Sequence, residues 1–238
     1  MPGFLSRVSI AFLVLLAVRA GSDAQTKTLS VAGNRMEIQV DRFAGDKWTP
    51  VDPALVFERG DRVRFRFRTN FDGYLYVTNI STSGSYALLF PRPDTGEQNR
   101  IHAGTEYILP ETQTRFRIAG PAGHETLYWI VSPTEWRSSD GGSHSGYIPL
   151  PPPPQEQNAP PPNMTPRCDD TVFRARGDCV DPAAGARELE TVPPNLAGIP
   201  STGQDQNLMF LREENKSVIA SPAPLHGPVV YEFLLAHK

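Results

Sequence analysis

The sequence predicts an all-β protein, an antiparallel β-sandwich interrupted by a long proline-rich insert, and three observations support this. Residues 62–68 alternate strictly between arginine and apolar side chains, the period of a half-buried strand. Short apolar segments recur with turn signals every ~8 to 12 residues, as in sandwiches and barrels. The 238 residues include 24 prolines, and no segment has the period of an amphipathic helix. We therefore expect an immunoglobulin-like or related sandwich with a largely irregular insert.

The first three predicted strands are residues 62–68, 74–80 and 86–90. Turn-forming residues separate them, at positions 70–73 and at Ser83-Gly84. Because short turns usually join neighbouring antiparallel strands, we expect these three strands to form a meander.

Three further strands are predicted at regular spacing, at residues 105–109, 114–118 and 125–131. Pro110 and the glycine–proline cluster at positions 120–123 separate them. We assign residues 25–136 to one β-sandwich domain on this basis.

A proline-rich segment follows the predicted domain. Nine prolines lie within residues 149–166, which favours a stiff and solvated polyproline II linker. A ligand for a signalling module is the alternative interpretation of the same composition. We assign residues 137–206 to a proline-rich linker or insert.

Apolar sequence returns in the last segment, residues 207–238. Its two strand-like runs, at residues 208–211 and 229–236, are too few to bury a core of their own. We therefore expect them to cross back over the insert and complete the sandwich.

The first 24 residues have the pattern of a secretory signal peptide. Arg7 precedes a mostly apolar run at residues 8–18, which is shorter than the ~18 to 20 residues needed to span a bilayer. Small residues place the cleavage site between Ala24 and Gln25. We expect export to the periplasm or the medium, and no transmembrane span in the mature chain.

The two cysteines, Cys168 and Cys179, are both in the mature chain. Export and an even cysteine count favour a disulfide that closes loop 168–179, worth ~2 to 3 kcal/mol in the loop-entropy model. A metal site is the weaker interpretation, because no histidine lies nearby in the sequence.

Charge and motif patterns point away from several functional classes. The net charge of −3 lacks the basic excess of a nucleic-acid binder, so we expect no nucleic-acid partner. The five histidines form no zinc-binding pattern, and segment 142–146 has His144 where a nucleophile elbow needs serine. We expect no catalytic residue, metal or cofactor.

Two groups of side chains are candidates for a binding surface. Alternation places four arginines on one face of their strand: Arg62, Arg64, Arg66 and Arg68. They could contact an anionic polymer or an acidic partner, but a solvent face paired with carboxylates on neighbouring strands is the favoured alternative. Tyr74 and Tyr76 share one face of the next strand, where exposed aromatic rings could bind a partner.

Five motifs follow one another between residues 55 and 135: Gly60-Asp-Arg-Val-Arg-Phe-Arg-Phe67, Asp72-Gly-Tyr-Leu-Tyr-Val-Thr-Asn-Ile80, Leu88-Leu-Phe-Pro91, Asn99-Arg-Ile-His-Ala-Gly104 and Gly120-Pro-Ala-Gly123. This series is similar to a largely bacterial family catalogued as domain of unknown function 4384. The resemblance implies an all-β domain of an exported or envelope protein. The family sometimes accompanies kinase or caspase-like peptidase domains, and it supplies no catalytic residues for this chain.

Together these patterns predict a non-enzymatic, exported accessory or interaction module that binds a protein or envelope component. Two alternatives are an exported hydrolase whose catalytic groups converge only in the folded chain, and a purely structural envelope protein. The partner's identity, the oligomeric state and the choice between periplasm and medium stay open at this level.

Overall fold

The computed structural model describes residues 33–135, 166, 168, 178–189, 193, 196 and 207–238. These residues contain thirteen strands and no α-helix, so the all-β prediction is confirmed. In chain order the strands are β1 (Arg35–Ala44), β2 (Lys47–Val51), β3 (Arg62–Thr69), β4 (Gly73–Ile80), β5 (Tyr86–Phe90), β6 (Arg100–Ile101), β7 (Glu106–Leu109), β8 (Phe116–Arg117), β9 (Gly123–Ser132), β10 (Gly185–Arg187), β11 (Met209–Glu213), β12 (Lys216–Ala220) and β13 (Val229–His237).

Two antiparallel sheets pack face to face, which confirms the predicted sandwich. The larger sheet has the order β11-β12-β1-β3-β7, with β2 also paired to β1 and β8 also paired to β3. The smaller sheet has the order β10-β13-β9-β4-β5, with β6 also paired to β4. Strands β11 to β13, which follow the proline-rich segment, therefore contribute to both sheets.

The core between the sheets is built from alternate residues of the facing strands. Val63, Phe65 and Phe67 of β3 point inward and are at most 4% exposed, as the alternation predicts. Trp129 of β9 is fully buried opposite them, with its ring centroid 5.6 Å from that of Phe65 and 5.7 Å from that of Phe67. The tryptophan thus contacts the larger sheet through two edge-to-face aromatic pairs.

The predicted meander of three consecutive strands is wrong. Strands β4 and β5 do pair, but β3 lies in the larger sheet and β4 in the smaller one. The chain crosses between the sheets at residues 70–73, where Asn70 accepts a hydrogen bond from the backbone N–H of Arg35 and donates one to the carbonyl of Gly33. Crossing lets the apolar faces of both strands bury against each other instead of lying side by side.

A second apolar layer covers the outer face of the smaller sheet. Tyr76, Tyr128 and Ile130 are at most 7% exposed there, and they pack against Leu189 and Leu196 from the segment between β10 and β11. Both faces of the smaller sheet are therefore buried at this position.

The predicted disulfide is present, with a Cα–Cα distance of 4.8 Å between Cys168 and Cys179. Cys179 is 8% exposed and packs with Val56, Ala184 and Ala236, so the disulfide is anchored to the sandwich.

Several predictions lie outside the described residues. They include the signal peptide, its cleavage site between Ala24 and Gln25, and nearly all of the proline-rich segment at residues 149–166. Within the described ranges, no helix has the length and apolar character needed to cross a membrane.

Candidate functional site

The four arginines of β3 point away from the core, and two of them share one carboxylate. Antiparallel register places Asp41 of β1 directly opposite Arg64. Asp41 Oδ2 accepts a hydrogen bond from Arg64 Nε at 2.9 Å, and Asp41 Oδ1 accepts one from Arg66 Nη2 at 2.9 Å. The Asp41 side chain is only 1% exposed, because the two guanidinium groups cover it. The middle of the arginine row is thus paired with a carboxylate across strands.

Sequence reasoning missed Asp41, although a signal for it exists. Strand β1 alternates like β3, with Met36, Ile38 and Val40 buried against the core. Asp41 follows that series on the opposite face, so its parity places it beside the arginines. The favoured expectation of cross-strand carboxylates thus describes Arg64 and Arg66 well.

At one end of the same face, arginines surround an aromatic ring instead of a carboxylate. The guanidinium carbons of Arg62 and Arg115 lie 4.7 Å and 4.6 Å from the ring centroid of Phe43. Arg117 is directly opposite Arg62 in the β3–β8 register. Within the described residues, no carboxylate lies within ion-pair distance of these three arginines. We call Phe43, Arg62, Arg115 and Arg117 the Phe43 cluster.

A second aromatic residue extends the Phe43 cluster along the sheet. Trp48 of β2 contacts Phe43 edge-on, with 5.1 Å between ring centroids. The guanidinium carbon of Arg64 lies 4.5 Å from the Trp48 ring centroid. Cation–π contacts place these guanidinium groups over the rings, where N–H groups that make no other contact can still donate to an acceptor.

The remaining predicted surface residues have different environments. Arg68 is opposite Glu37 on β1 and Glu106 on β7, so carboxylates flank it on both sides. Tyr74 is half-buried, and Tyr76 is 1% exposed beneath the covering segment that contains Leu189 and Leu196. The Tyr76 ring therefore does not reach solvent. This cover was not predicted, because the residues that supply it have no strand-like pattern in the sequence.

A cleft of about 290 Å³ opens at the side of the sandwich, between the β4–β5 turn and the β8 segment. Its walls are apolar side chains from the inner faces of both sheets, namely Val63, Phe65, Leu89, Phe116, Leu127 and Leu235. The segment at residues 117–120 forms one margin, and Ser81 and Ser83 of the β4–β5 turn form the other.

Glu125 and Asn79 also line the cleft, where they place polar groups among apolar side chains. Asn79 Nδ2 donates a hydrogen bond to Glu125 Oε2 at 3.0 Å. The Thr82 backbone N–H and His237 Nε2 each lie 3.5 Å from Glu125 Oε1. The Glu125 side chain is 13% exposed and His237 is fully buried, so this carboxylate is largely removed from water.

Strand parity could have identified this polar group. Leu127, Trp129 and Val131 alternate inward along β9, and Glu125 occupies the next inward position. Asn79 follows Leu75 and Val77 in the same way on β4. Neither Glu125 nor Asn79 was predicted as a site residue, because their inward parity appears only when each series is extended to the end of its strand.

The described residues contain no group of three or more histidine, cysteine, aspartate or glutamate side chains placed to hold a metal ion. Burial raises the pKa of Tyr128 well above its ordinary value, and the nearby charge of Glu232 raises it further. Burial alone raises the pKa of Tyr231 in the core. Both phenols are thus neutral at physiological pH and contribute apolar packing with a polar tip.

Comparison with known proteins gives one result. Residues 56–135, less than half of the chain, match the model of the family described as Domain of unknown function (DUF4384). No curated protein and no solved structure matches the chain. The family resemblance found in the sequence is therefore confirmed for residues 56–135.

Proposed function

We propose that this protein is a non-enzymatic interaction module of the cell envelope, exported from the cytoplasm, that binds an acidic protein partner through the Phe43 cluster. The observation that carries the proposal is the convergence of Arg62 and Arg115 on one phenylalanine ring, with Arg117 opposite Arg62. A partner carboxylate would supply the counter-charge for this group.

The electrostatics of the Phe43 cluster favour an anionic ligand. Like charges directly opposite each other on antiparallel strands destabilise a sheet. Arg62 and Arg117 have this arrangement, whereas Arg64 is opposite Asp41. An acidic group between the guanidiniums would relieve the repulsion and accept charge-assisted hydrogen bonds from them.

The composition of the surface favours a protein partner. Arginine and aromatic side chains are enriched at the centres of protein–protein interfaces and often carry most of the binding energy. Phe43, Trp48 and the arginines bring these residue types together on one face. The Phe43 and Trp48 rings are already held by their arginine contacts, so little side-chain entropy is lost on binding.

The disulfide supports a location outside the cytoplasm. Disulfides persist in oxidising compartments and are rare in cytosolic proteins. The bond between Cys168 and Cys179 therefore agrees with the export expected from the leader sequence.

Titration of a fluorescently labelled, glutamate-rich peptide into the mature protein tests the proposal. We expect Arg62→Gln combined with Arg115→Gln to weaken peptide binding about tenfold, since two charge-assisted contacts are lost. Added salt should weaken binding to the parent protein, because exposed charges are screened over ~8 to 10 Å.

Arg92→Gln is the matched control, because Arg92 is an exposed arginine that pairs with Asp94 outside this face. It removes a positive charge without touching the Phe43 cluster, so peptide affinity should change less than twofold. Equal affinity in the double variant and the parent protein, or no saturable binding at low salt, would contradict the proposed function.

A further inference from the structure

We propose that the cleft between the β4–β5 turn and the β8 segment binds a small apolar compound carrying a primary ammonium group, with Glu125 as its counter-ion. This site adjoins the Phe43 cluster, because Arg117 belongs to that cluster and also lines the cleft, but its carboxylate gives it the opposite charge preference. It does not depend on the proposed function, because its key residues lie on the inner faces of the sheets.

The size and walls of the cleft fit a small apolar ligand. Protein interiors are normally packed without voids larger than a water molecule, but here about 290 Å³ is unfilled between the sheets. Pockets for small ligands start at about 300 Å³ and are mostly apolar. The half-buried side chains of Leu89 and Phe116 supply apolar surface that a ligand can contact, and Val63, Phe65 and Leu127 lie buried behind it.

The margin of the cleft is fixed by the close approach of Gly120 to the Thr82 side chain. Gly120 has a φ of +90°, a conformation that favours glycine. A Cβ atom at this position would lie 2.7 Å from Thr82 Oγ1, so the loop and the β4–β5 turn fit together only without a side chain. The Oγ atoms of Ser81 and Ser83 lie 2.7 Å apart, which fixes the turn further. A preformed cleft loses little conformational freedom when a ligand binds.

Glu125 has unused hydrogen-bonding capacity in this apolar setting. A carboxylate offers about four acceptor sites. Glu125 accepts one short hydrogen bond, from Asn79 at 3.0 Å, while the Thr82 N–H and His237 Nε2 stay at 3.5 Å. A partly dehydrated carboxylate gains most from a donor that also carries positive charge, which is what a primary ammonium provides.

Arg117 is the other charged residue that lines the cleft. Its register partner is Arg62, whose side chain lies on the outer face of the larger sheet. Arg117 Nη2 lies 3.7 Å from the position that a Cβ on Gly60 would take, on the side of the β3 start. Among the residues that line the cleft, Glu125 is the carboxylate, and it is the group available to a cationic ligand.

Three probes that share one apolar part test the ligand class: phenethylamine, phenethyl alcohol and 3-phenylpropionate. Their head groups are a cation, a neutral donor and an anion. Two-dimensional NMR of the methyl-labelled full chain would follow each titration. We expect saturable shifts of the Leu127 and Leu235 methyls with phenethylamine, at least tenfold weaker binding of the alcohol, and no binding of the acid.

Two variants locate the binding site. Glu125→Gln should weaken phenethylamine binding at least tenfold while changing the affinity for the alcohol less than threefold. Leu89→Trp places a bulky indole ring at the half-buried wall position and should abolish binding of both compounds. Glu106→Gln removes an exposed carboxylate outside the cleft and is the matched control, with unchanged affinity expected.

Specific results would overturn the inference. They are equal affinity for the three probes, unchanged phenethylamine binding in Glu125→Gln, or methyl shifts centred on Leu196 instead of Leu127 and Leu235. If Glu125→Gln does not fold, the parent protein still tests the proposal, through the order of affinities for the three probes and the location of the methyl shifts. Loss of acidic-peptide binding in the Phe43-cluster variant with phenethylamine binding retained would separate the two sites.

Discussion

The outer faces of the two sheets are stabilised in different ways. The larger sheet presents charged side chains to solvent and pairs them across strands, as Asp41 does with Arg64 and Arg66. The smaller sheet has an apolar patch on its outer face, where Tyr76 and Ile130 are buried by Leu196 from a separate segment. The first face is stabilised by register within the sheet, whereas the second depends on a segment distant in sequence.

The comparison shows why alternation alone cannot identify an exposed aromatic surface. In β3 the outward residues are arginines, and hydration of their charges keeps that face in water. In β4 the outward residues are Tyr74 and Tyr76. Burying these rings lowers the free energy, whether they contact a partner or another part of the same chain. Tyr76 is buried by another part of the same chain.

Removing the cover of the smaller sheet should have the largest effect. Leu196 is fully buried against this sheet, so Leu196→Ala should lower the free energy of unfolding by about 2 to 4 kcal/mol, through lost burial and the cavity left behind. Urea denaturation would measure the change. Leu211→Ala on the edge strand β11 is the control, since Leu211 is 46% exposed and its truncation should cost less than about 0.5 kcal/mol. Similar losses in both variants would mean that Leu196 does not act as a cover.

Removing the shared carboxylate of the charged face should have an intermediate effect. Asp41→Asn keeps the shape but leaves Arg64 and Arg66 without their counter-charge, and we expect a loss of about 1 to 3 kcal/mol in the same assay. Solvent reaches both guanidiniums, which keeps the cost below that of a fully buried pair. Asp94→Asn, at an exposed pair with Arg92, should change stability by less than about 0.5 kcal/mol. A neutral result for Asp41→Asn would show that the charged face does not depend on this contact.

The smallest effect is expected at Glu37, on the same charged face. Burial raises the pKa of this carboxyl, but hydrogen bonds from Lys216 and Arg35 outweigh it and hold the folded-state pKa below its ordinary value. Glu37 therefore stabilises the fold above about pH 5, and its contribution is lost as the pH falls through the lowered pKa. At pH 7 the free energy of unfolding of the parent protein should exceed that of Glu37→Gln by about 0.2 to 1 kcal/mol. This difference should shrink towards pH 3. A difference that stays constant between pH 7 and pH 3 would contradict this assignment.

The sequence contains enough information for the strands and for the parity of their side chains. Alternation in residues 62–68 correctly separates Val63, Phe65 and Phe67 from the arginines. Turn residues at positions 70–73 also mark a real break, but a turn signal does not say whether the next strand continues the sheet or crosses to the facing one. That choice depends on which apolar faces can be buried together, and this is a property of the whole chain.

The candidate sites also differ in how much of them a local sequence pattern can predict. The arginines of β3 were recognisable because their pattern is local. The Phe43 cluster needed the register that brings β1 and β8 to opposite sides of β3. The cleft needed the inner faces of both sheets, since Glu125 and Phe116 come together only when the sandwich closes. Contacts between strands far apart in sequence leave no local signature.

The sheet orders also show that the segment matching the family is smaller than the sandwich that folds. The family match at residues 56–135 includes β3 and β9, but the strands beside them, β1 and β13, lie outside it. A fragment cut at those limits would expose unpaired backbone along both strands, which invites aggregation. Because β9 and β13 pair across the whole proline-rich segment, forming this sheet requires closing a very long loop, a slow step in folding. The protein should therefore be expressed and studied with all strands from β1 to β13 in one chain.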